Sequence, residues 1–230
     1  MNDIYVMGDV HGHYNELVEL INKLPNKFES KICFVGDLID RGPDSKKVVD
    51  LVKKYNYDCV LGNHEQMCIE FRGNPYNMTG GYSQSILNPF GSNGGVSTLD
   101  SYGDLELLQD DIENFFIKLP LFKYYSNIKN KNGKSLVVTH SCCLNYVNDI
   151  EDFDNLDYID ADDIMWNRDI QYGYDHIKES KEYFNIFGHT ITSEVIINDK
   201  FASIETGIAA KNRGGKLTCL AFPSMKIYQV

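Results

Sequence analysis

IYVMGD, residues 4–9, is a run of β-branched and aromatic residues broken off by glycine and then aspartate. It recurs in altered form as KICFVGD (31–37) and DCVLGN (58–63). Short apolar runs bounded in this way read as buried strands, and a helical pattern after each makes them parallel. Behind the first, Leu17, Leu20, Ile21 and Leu24 fall at helical spacing before Pro25. Behind the second, Val48, Leu51, Val52 and Tyr55 do the same, with Asp44 as N-cap after Pro43. The third leads into EQMCIEF. In a parallel α/β sheet the loops leaving the carboxyl ends of neighbouring strands lie side by side, so Asp9, Asp37 and Asn63 are expected to share one crevice.

Two later strands end in the same manner, SLVVTH delivering His140 and YFNIFGH delivering His189. Between these runs the chain changes character. Residues 72–103 are dense in Gly, Asn, Ser and Tyr and read as loop with short helical pieces. Residues 149–163 form an acidic stretch without the glycine and glutamate spacing of an EF-hand, so a solvated face or a helix entry is expected. From EVIIND onward, FASIET and GKLTCLAFPSMKIYQV read as antiparallel strands of a second sheet layer. No linker divides the chain, and one domain over residues 1–230 is expected.

Composition narrows the partners. The 230 residues are 43% hydrophobic and 24% charged, with a formal net charge of −11. That balance fits a globular core and argues against broad electrostatic binding of nucleic acid. No apolar run reaches a membrane span and no charged and apolar leader precedes the first strand, so a cytoplasmic location with no membrane partner is expected. The six cysteines form no CxxC pair and read as reduced, buried hydrophobes.

Asp9, His11, Asp37, Asn63, His140 and His189 therefore stand together at five strand ends. Mixed oxygen and nitrogen donors without thiolate suit Mn²⁺, Fe²⁺ or Zn²⁺. Six side chains are too many for one ion that keeps an open position; they suit two ions with a bridging carboxylate. GDLIDRG adds Asp40 and Arg41, and GNHE adds His64. A metal pair roughly 3.5–4 Å apart turns bridging water into hydroxide and clamps phosphoryl oxygens. Arginine matches phosphate with a bidentate fork, and a histidine held by aspartate can protonate a leaving alkoxide. Hydrolysis of a phosphate ester follows from this inventory.

GDVHG (8–12), GDLIDRG (36–42) and GNHE (62–65), followed by TH (139–140), WNR (166–168) and GHT (188–190), resemble the signature blocks of the phosphoprotein phosphatase (PPP) family of calcineurin-like metallophosphoesterases. The likeness is to its short bacterial and phage members, of the bacteriophage lambda phosphatase type. The resemblance implies an α/β fold with a central β-sandwich flanked by helices in four αββα layers. It places one ion on Asp9, His11 and Asp37, and a second on Asp37, Asn63, His140 and His189. It makes His64 the general acid paired with Asp40, and Arg41 and Arg168, with Asn63, the phosphate-binding residues. Two divalent metal ions are the implied cofactors, Mn²⁺ first with Fe or Zn as alternatives. His13 is read as a turn or supporting residue, His176 as exposed, and Glu205 receives no catalytic role.

Three functions compete. A serine/threonine phosphatase acting on a phosphorylated protein or a small phosphoester is preferred, because the chain keeps Asp40 and Glu65. A dinucleoside polyphosphate hydrolase with the same metal core is the alternative, since symmetrical hydrolases commonly lack that aspartate and carry GNHD. A non-catalytic binding module would be expected to have lost a ligand or the acid, and none is lost.

Overall fold

The computed structural model describes residues 3–73, 89–156 and 158–230. Strands β1 (Ile4–Met7), β2 (Ile32–Phe34) and β3 (Asp58–Cys59) pair in parallel, with Tyr5 opposite Ile32 and Phe34 opposite Cys59. Each is followed by its helix: α1 (Tyr14–Lys23), α2 (Ser45–Tyr55) and α3 (Asn63–Gly73). A second sheet contains β4 (Phe122–Lys129), β5 (Ser135–Thr139), β6 (Tyr183–Phe187), β7 (Ile196–Ile197) and β8 (Phe201–Ser203), in the order β4-β5-β6-β8-β7.

The end of the chain divides between the sheets, which corrects the expectation that it builds antiparallel strands of a second sheet layer. β7 and β8 extend the second sheet, and β8 runs parallel to β6. Strands β9 (Thr218–Phe222) and β10 (Lys226–Gln229) instead join the first, in the order β10-β9-β1-β2-β3. The reason lies in β9 itself. Cys219 and Ala221 pack towards the helices while Leu220 and Phe222 pack between the sheets, so β9 is apolar on both faces and needs cover on both.

The same period of two makes four layers. Ile4 and Val6 of β1 meet Leu136, Val138, Phe184 and Ile186 of the second sheet, forming the middle of the sandwich. Tyr5 and Met7 point the other way, onto Leu17, Leu20 and Ile21 of α1 and Val48 and Val52 of α2. Burying each of these aliphatic side chains stabilises the fold by about 1.5–3 kcal/mol. The outer face of the second sheet (Val137, Tyr183, Phe187, Phe201) is covered by Cys143, Leu144, Phe153, Ile164 and Ile177.

Asp44 does precede α2, but its carboxylate accepts from Lys47 (2.6 Å) and not from a helix N–H. Of the Gly- and Asn-rich stretch, residues 74–88 lie outside the described residues. Beyond them the chain passes through a π-helical turn, Gly91–Gly95, kinked at Gly94, and enters the helix Val96–Tyr102. The acidic stretch forms a short turn of helix, Ile150–Asn155, entered by reciprocal hydrogen bonds between Asp149 and Asp152 and followed by the helix Tyr158–Trp166. All six cysteines are free and buried. Among the described residues no helix is long and apolar enough to cross a membrane.

Candidate active site

The six residues read as ligands converge, each of them buried: Asp9 and His11 behind β1, Asp37 behind β2, Asn63 at the start of α3, His140 behind β5 and His189 behind β6. Two groups have ligand atoms all within 4.8 Å of one another: His11, Asp37 and His64, and Asp37, His140 and His189. Asp37 belongs to both. Among the described residues Asp9 stands outside both tight groups, and His64, read as the acid, takes its place in the first. Both Asp9 carboxylate oxygens lie 3.2 Å from the His189 backbone N–H, which donates to them. The close approach depends on Gly188 and Gly62. A Cβ on Gly188 would collide with Asp9 Oδ1, and one on Gly62 would collide with Asp37 Oδ1.

The strand ends turn abruptly, and the turns are strained. His11 (φ 46°), Asp37 (50°), Asp40 (73°), Arg41 (68°) and His189 (63°) all sit in the left-handed region. Aspartate and histidine tolerate it better than most residues; arginine does not.

The histidine tautomers are fixed by backbone carbonyls. His11 Nδ1 donates to the Ile39 carbonyl (2.9 Å) and His140 Nδ1 to the Val35 carbonyl (2.7 Å), which leaves each Nε2 a bare lone pair. Burial keeps these rings neutral, holding His11 well below its ordinary pKa, lowering His140 and bringing His189 down to about 3. His140 Nε2 faces Asn63 Oδ1 at 2.8 Å and Asp37 Oδ1 at 3.4 Å, while His189 Nδ1 faces the same Asn63 oxygen at 3.0 Å. The His140 lone pair turned onto carbonyl and carboxylate oxygens, with His189 Nε2 buried and unpartnered beside it, is what a divalent cation relieves, and the donor set fits one. In the other group a cation of the protein fills this part. The Arg41 guanidinium spans His11 Nε2 (2.8 Å) and His64 Nε2 (3.0 Å).

His64 is held by Asp40 through Nδ1–Oδ2 (2.5 Å). Burial pulls the His64 pKa down, but the Asp37 and Asp40 carboxylates outweigh it and hold it above the usual value. Asp40 is fixed in turn by Thr98, whose hydroxyl donates to Oδ1 (2.6 Å) and accepts from the Asp40 backbone N–H (2.9 Å). Ser45 accepts from the same N–H at 3.1 Å. Arg168 is exposed; its charge adds to the effect of burial in lowering both His140 and His189. His13 is buried, its Nδ1 on the His11 carbonyl (2.7 Å), and His176 is exposed.

Sequence reasoning missed three residues here. Glu65 served only as a fingerprint, yet its carboxylate accepts from the backbone N–H groups of Asp37 (2.8 Å), Leu38 (2.8 Å), Ile39 (3.3 Å) and Gly62 (3.2 Å). Glu205, given no role, is buried beside the ligands; it accepts from Gly207 N–H (2.7 Å) and is reached by the Asp9 backbone N–H. Burial pushes both carboxyls up to about 8, with the Asp37 charge adding to it. Thr98 lies in a stretch whose composition reads as loop and signals nothing.

This is the centre of a metal-dependent phosphoester hydrolase: one carboxylate common to two ligand groups, ringed by a buried His–Asp pair and arginine. The model of the calcineurin-like phosphoesterase family matches residues 3–199, and the chain belongs to that family. It is 26% identical over 248 residues to the asymmetrical bis(5'-nucleosyl)-tetraphosphatase PrpE of Halalkalibacterium halodurans, covering 98% of this chain and 92% of the relative. To serine/threonine-protein phosphatase 1 of Salmonella typhimurium it is 38% identical over 72 residues, 30% of this chain and 32% of that one. Its fold resembles the crystal structure of a candidate diadenosine tetraphosphatase, with a TM-score of 0.63 at 19% identity over all of this chain and 93% of the other.

Proposed function

We propose that this hydrolase cleaves bis(5'-nucleosyl) tetraphosphates asymmetrically, with two divalent ions held by Asp9, His11, Asp37, Asn63, His140 and His189. The observation that carries the reading is the span of the likeness to the tetraphosphatase PrpE, which extends over 98% of the chain, against 30% for the protein phosphatase. The sequence preference for a protein phosphatase rested on Asp40 and Glu65. In the structure these carboxylates orient His64 and fasten the Asp37 loop, tasks common to any phosphoryl transfer here, so they do not discriminate between substrates. Mn²⁺ is the proposed ion, with Fe or Zn as alternatives, since the donors are oxygen and nitrogen without thiolate.

Bound there, the ions would polarise the phosphoryl group and lower the pKa of water enough to make it a nucleophile at neutral pH. The chain's own residues do the rest. Asp37, common to both groups, would help to hold both ions. Asn63, Arg41 and Arg168 receive the phosphate oxygens as the charge on them grows. His64, its Nδ1 proton committed to Asp40, presents Nε2 to the departing oxygen and delivers a proton there.

A second reading, the serine/threonine phosphatase, is favoured by one observation. A buried His64–Asp40 acid suits a poor alkoxide leaving group more than a nucleotide phosphate, which leaves with little protonation. Comparing kcat/KM for diadenosine tetraphosphate and a phosphothreonine peptide at saturating Mn²⁺ separates the two. A preference for the dinucleotide, with AMP and ATP as products, is expected. A preference for the peptide overturns the proposal and leaves the metal assignment standing.

A further inference from the structure

The chain has one tryptophan, and it stands at the mouth of the ligand cluster. Trp166 closes the helix Tyr158–Trp166 and is 40% exposed. Its ring meets the ring of His189 edge-on, with centroids 6.2 Å apart and planes at 79°. The ring is thus partly in water and beside a buried ligand.

The indole is not loose. Its N–H donates to Gln66 Oε1 at 2.7 Å, and Gln66 Nε2 donates to Asp162 Oδ1 at 3.2 Å. The indole N–H can only donate and a carboxylate can only accept, so the orientation of the Gln66 amide is settled by its two partners. Gln66 lies on α3, three residues beyond Asn63 and two beyond His64. The segment behind the ring is pinned as well. Asn167 Nδ2 reaches the Ser141 hydroxyl (2.8 Å) and the carbonyls of Cys142 (2.7 Å) and Asp163 (2.6 Å). An exposed aromatic plate is thus fastened at a set angle to the helix and the strand end that carry Asn63, His64 and His140.

We infer that Trp166 is the stacking platform for a nucleobase, and that it forms a base-binding subsite next to the phosphate-binding centre. In a nucleoside 5'-phosphate only the ribose separates phosphate from base. A flat wall adjoining His189 is therefore where the base falls when its phosphate lies among the ligands. Stacking tolerates any base because each has a π face, and Arg168, two residues on, is exposed to receive the phosphate joined to that base. The inference rests on the tetraphosphatase reading for its substrate, and it names the part of that substrate the chain grips apart from phosphate.

Because Trp166 is the sole tryptophan, its fluorescence reports the subsite directly. With the Zn²⁺-saturated protein, AMP is expected to quench the emission and ribose 5-phosphate, which lacks the base, to leave it unaltered. In turnover, Trp166→Leu should lower the selectivity for diadenosine tetraphosphate over ribose 5-phosphate by roughly 5- to 150-fold, the usual worth of one aromatic–base stack. Trp166→Phe should restore much of it, and the change should fall on KM more than on kcat. Equal quenching by AMP and ribose 5-phosphate, or unaltered selectivity in Trp166→Leu, overturns the subsite. Quenching by AMP in a protein that fails to cleave the tetraphosphate supports the subsite and overturns only the proposed reaction.

Discussion

The two halves of the ligand cluster share Asp37 but are built for different ends. Around His140 and His189 both rings turn onto the Asn63 oxygen, and among the described residues no guanidinium or ammonium bonds to either ring. Around His11 the ligands mingle with machinery, since Arg41 bridges His11 and His64, and His64 leans on Asp40 and Thr98. One half is a cage, the other a cage with working parts. A single site can therefore be stripped of chemistry on one side without losing metal on the other, and Asp37 is the residue for which that separation fails.

The largest effect is expected at Asp37. Asp37→Ala should reduce activity to background and leave the protein short of both ions, whereas Asp9→Ala should mainly weaken one. Metal analysis of the purified variants decides; two ions retained in Asp37→Ala would remove the bridge. Next comes the working half alone. His64→Asn should keep its metal content and slow hydrolysis of a poor leaving group by roughly 10²–10⁴-fold. Diadenosine tetraphosphate, with a better leaving group, should lose less. Equal losses on alkyl phosphate and on the dinucleotide would count against proton delivery, and loss of metal would make His64 a ligand.

A smaller change is expected behind His64. Thr98→Val leaves Asp40 Oδ1 without its donor, and losing a hydrogen bond to a buried carboxylate costs about 1–3 kcal/mol. Chemical denaturation of the metal-free protein measures it, and an unchanged midpoint would mean that the Ser45 hydroxyl takes over. The subtlest effect is a slope. Glu205 has a folded pKa of about 8 against an ordinary 4.5, so its stabilisation is complete below 4.5 and is lost as pH rises through 8. In EDTA, Glu205→Gln should therefore gain melting temperature relative to the native chain between pH 5 and pH 8.5. A constant offset across that range would mean Glu205 does not change its charge there.

The convergence of the strand-end residues was legible in the sequence, and the residues that support them from a distance were not. Strand ends announce themselves, because an apolar run must stop where the chain leaves the core, and Asp9, Asp37, Asn63, His140 and His189 all stand at such stops. The period of two within β1 and the helical spacing in α1 were equally plain, being set by burial of consecutive residues. Thr98 and Glu205 lie 58 and 196 residues from the groups they touch, Asp40 and the Asp9 backbone N–H, and no local pattern encodes a contact of that range. Glu65 was visible as a letter of GNHE, but not as the acceptor of four N–H groups from two loops. The placement of β9 in the first sheet was misjudged for a related reason: an apolar strand states that it is covered on both faces, not by which neighbours.

The left-handed turns carry a consequence for stability. A residue other than glycine held there costs of order 1–3 kcal/mol, against a total stability of about 5–15 kcal/mol for a domain. At Arg41 the expense is greatest, because arginine has no local hydrogen bond to offset it, and Arg41→Gly would relieve the backbone while discarding the guanidinium that spans His11 and His64. Arg41→Gly therefore sets relief of the backbone against the loss of those two hydrogen bonds, and Asp40→Gly sets it against the loss of the bonds to His64 and Thr98. The residues under backbone strain are also the ones whose side chains tie the loops together, so neither property can be changed without the other.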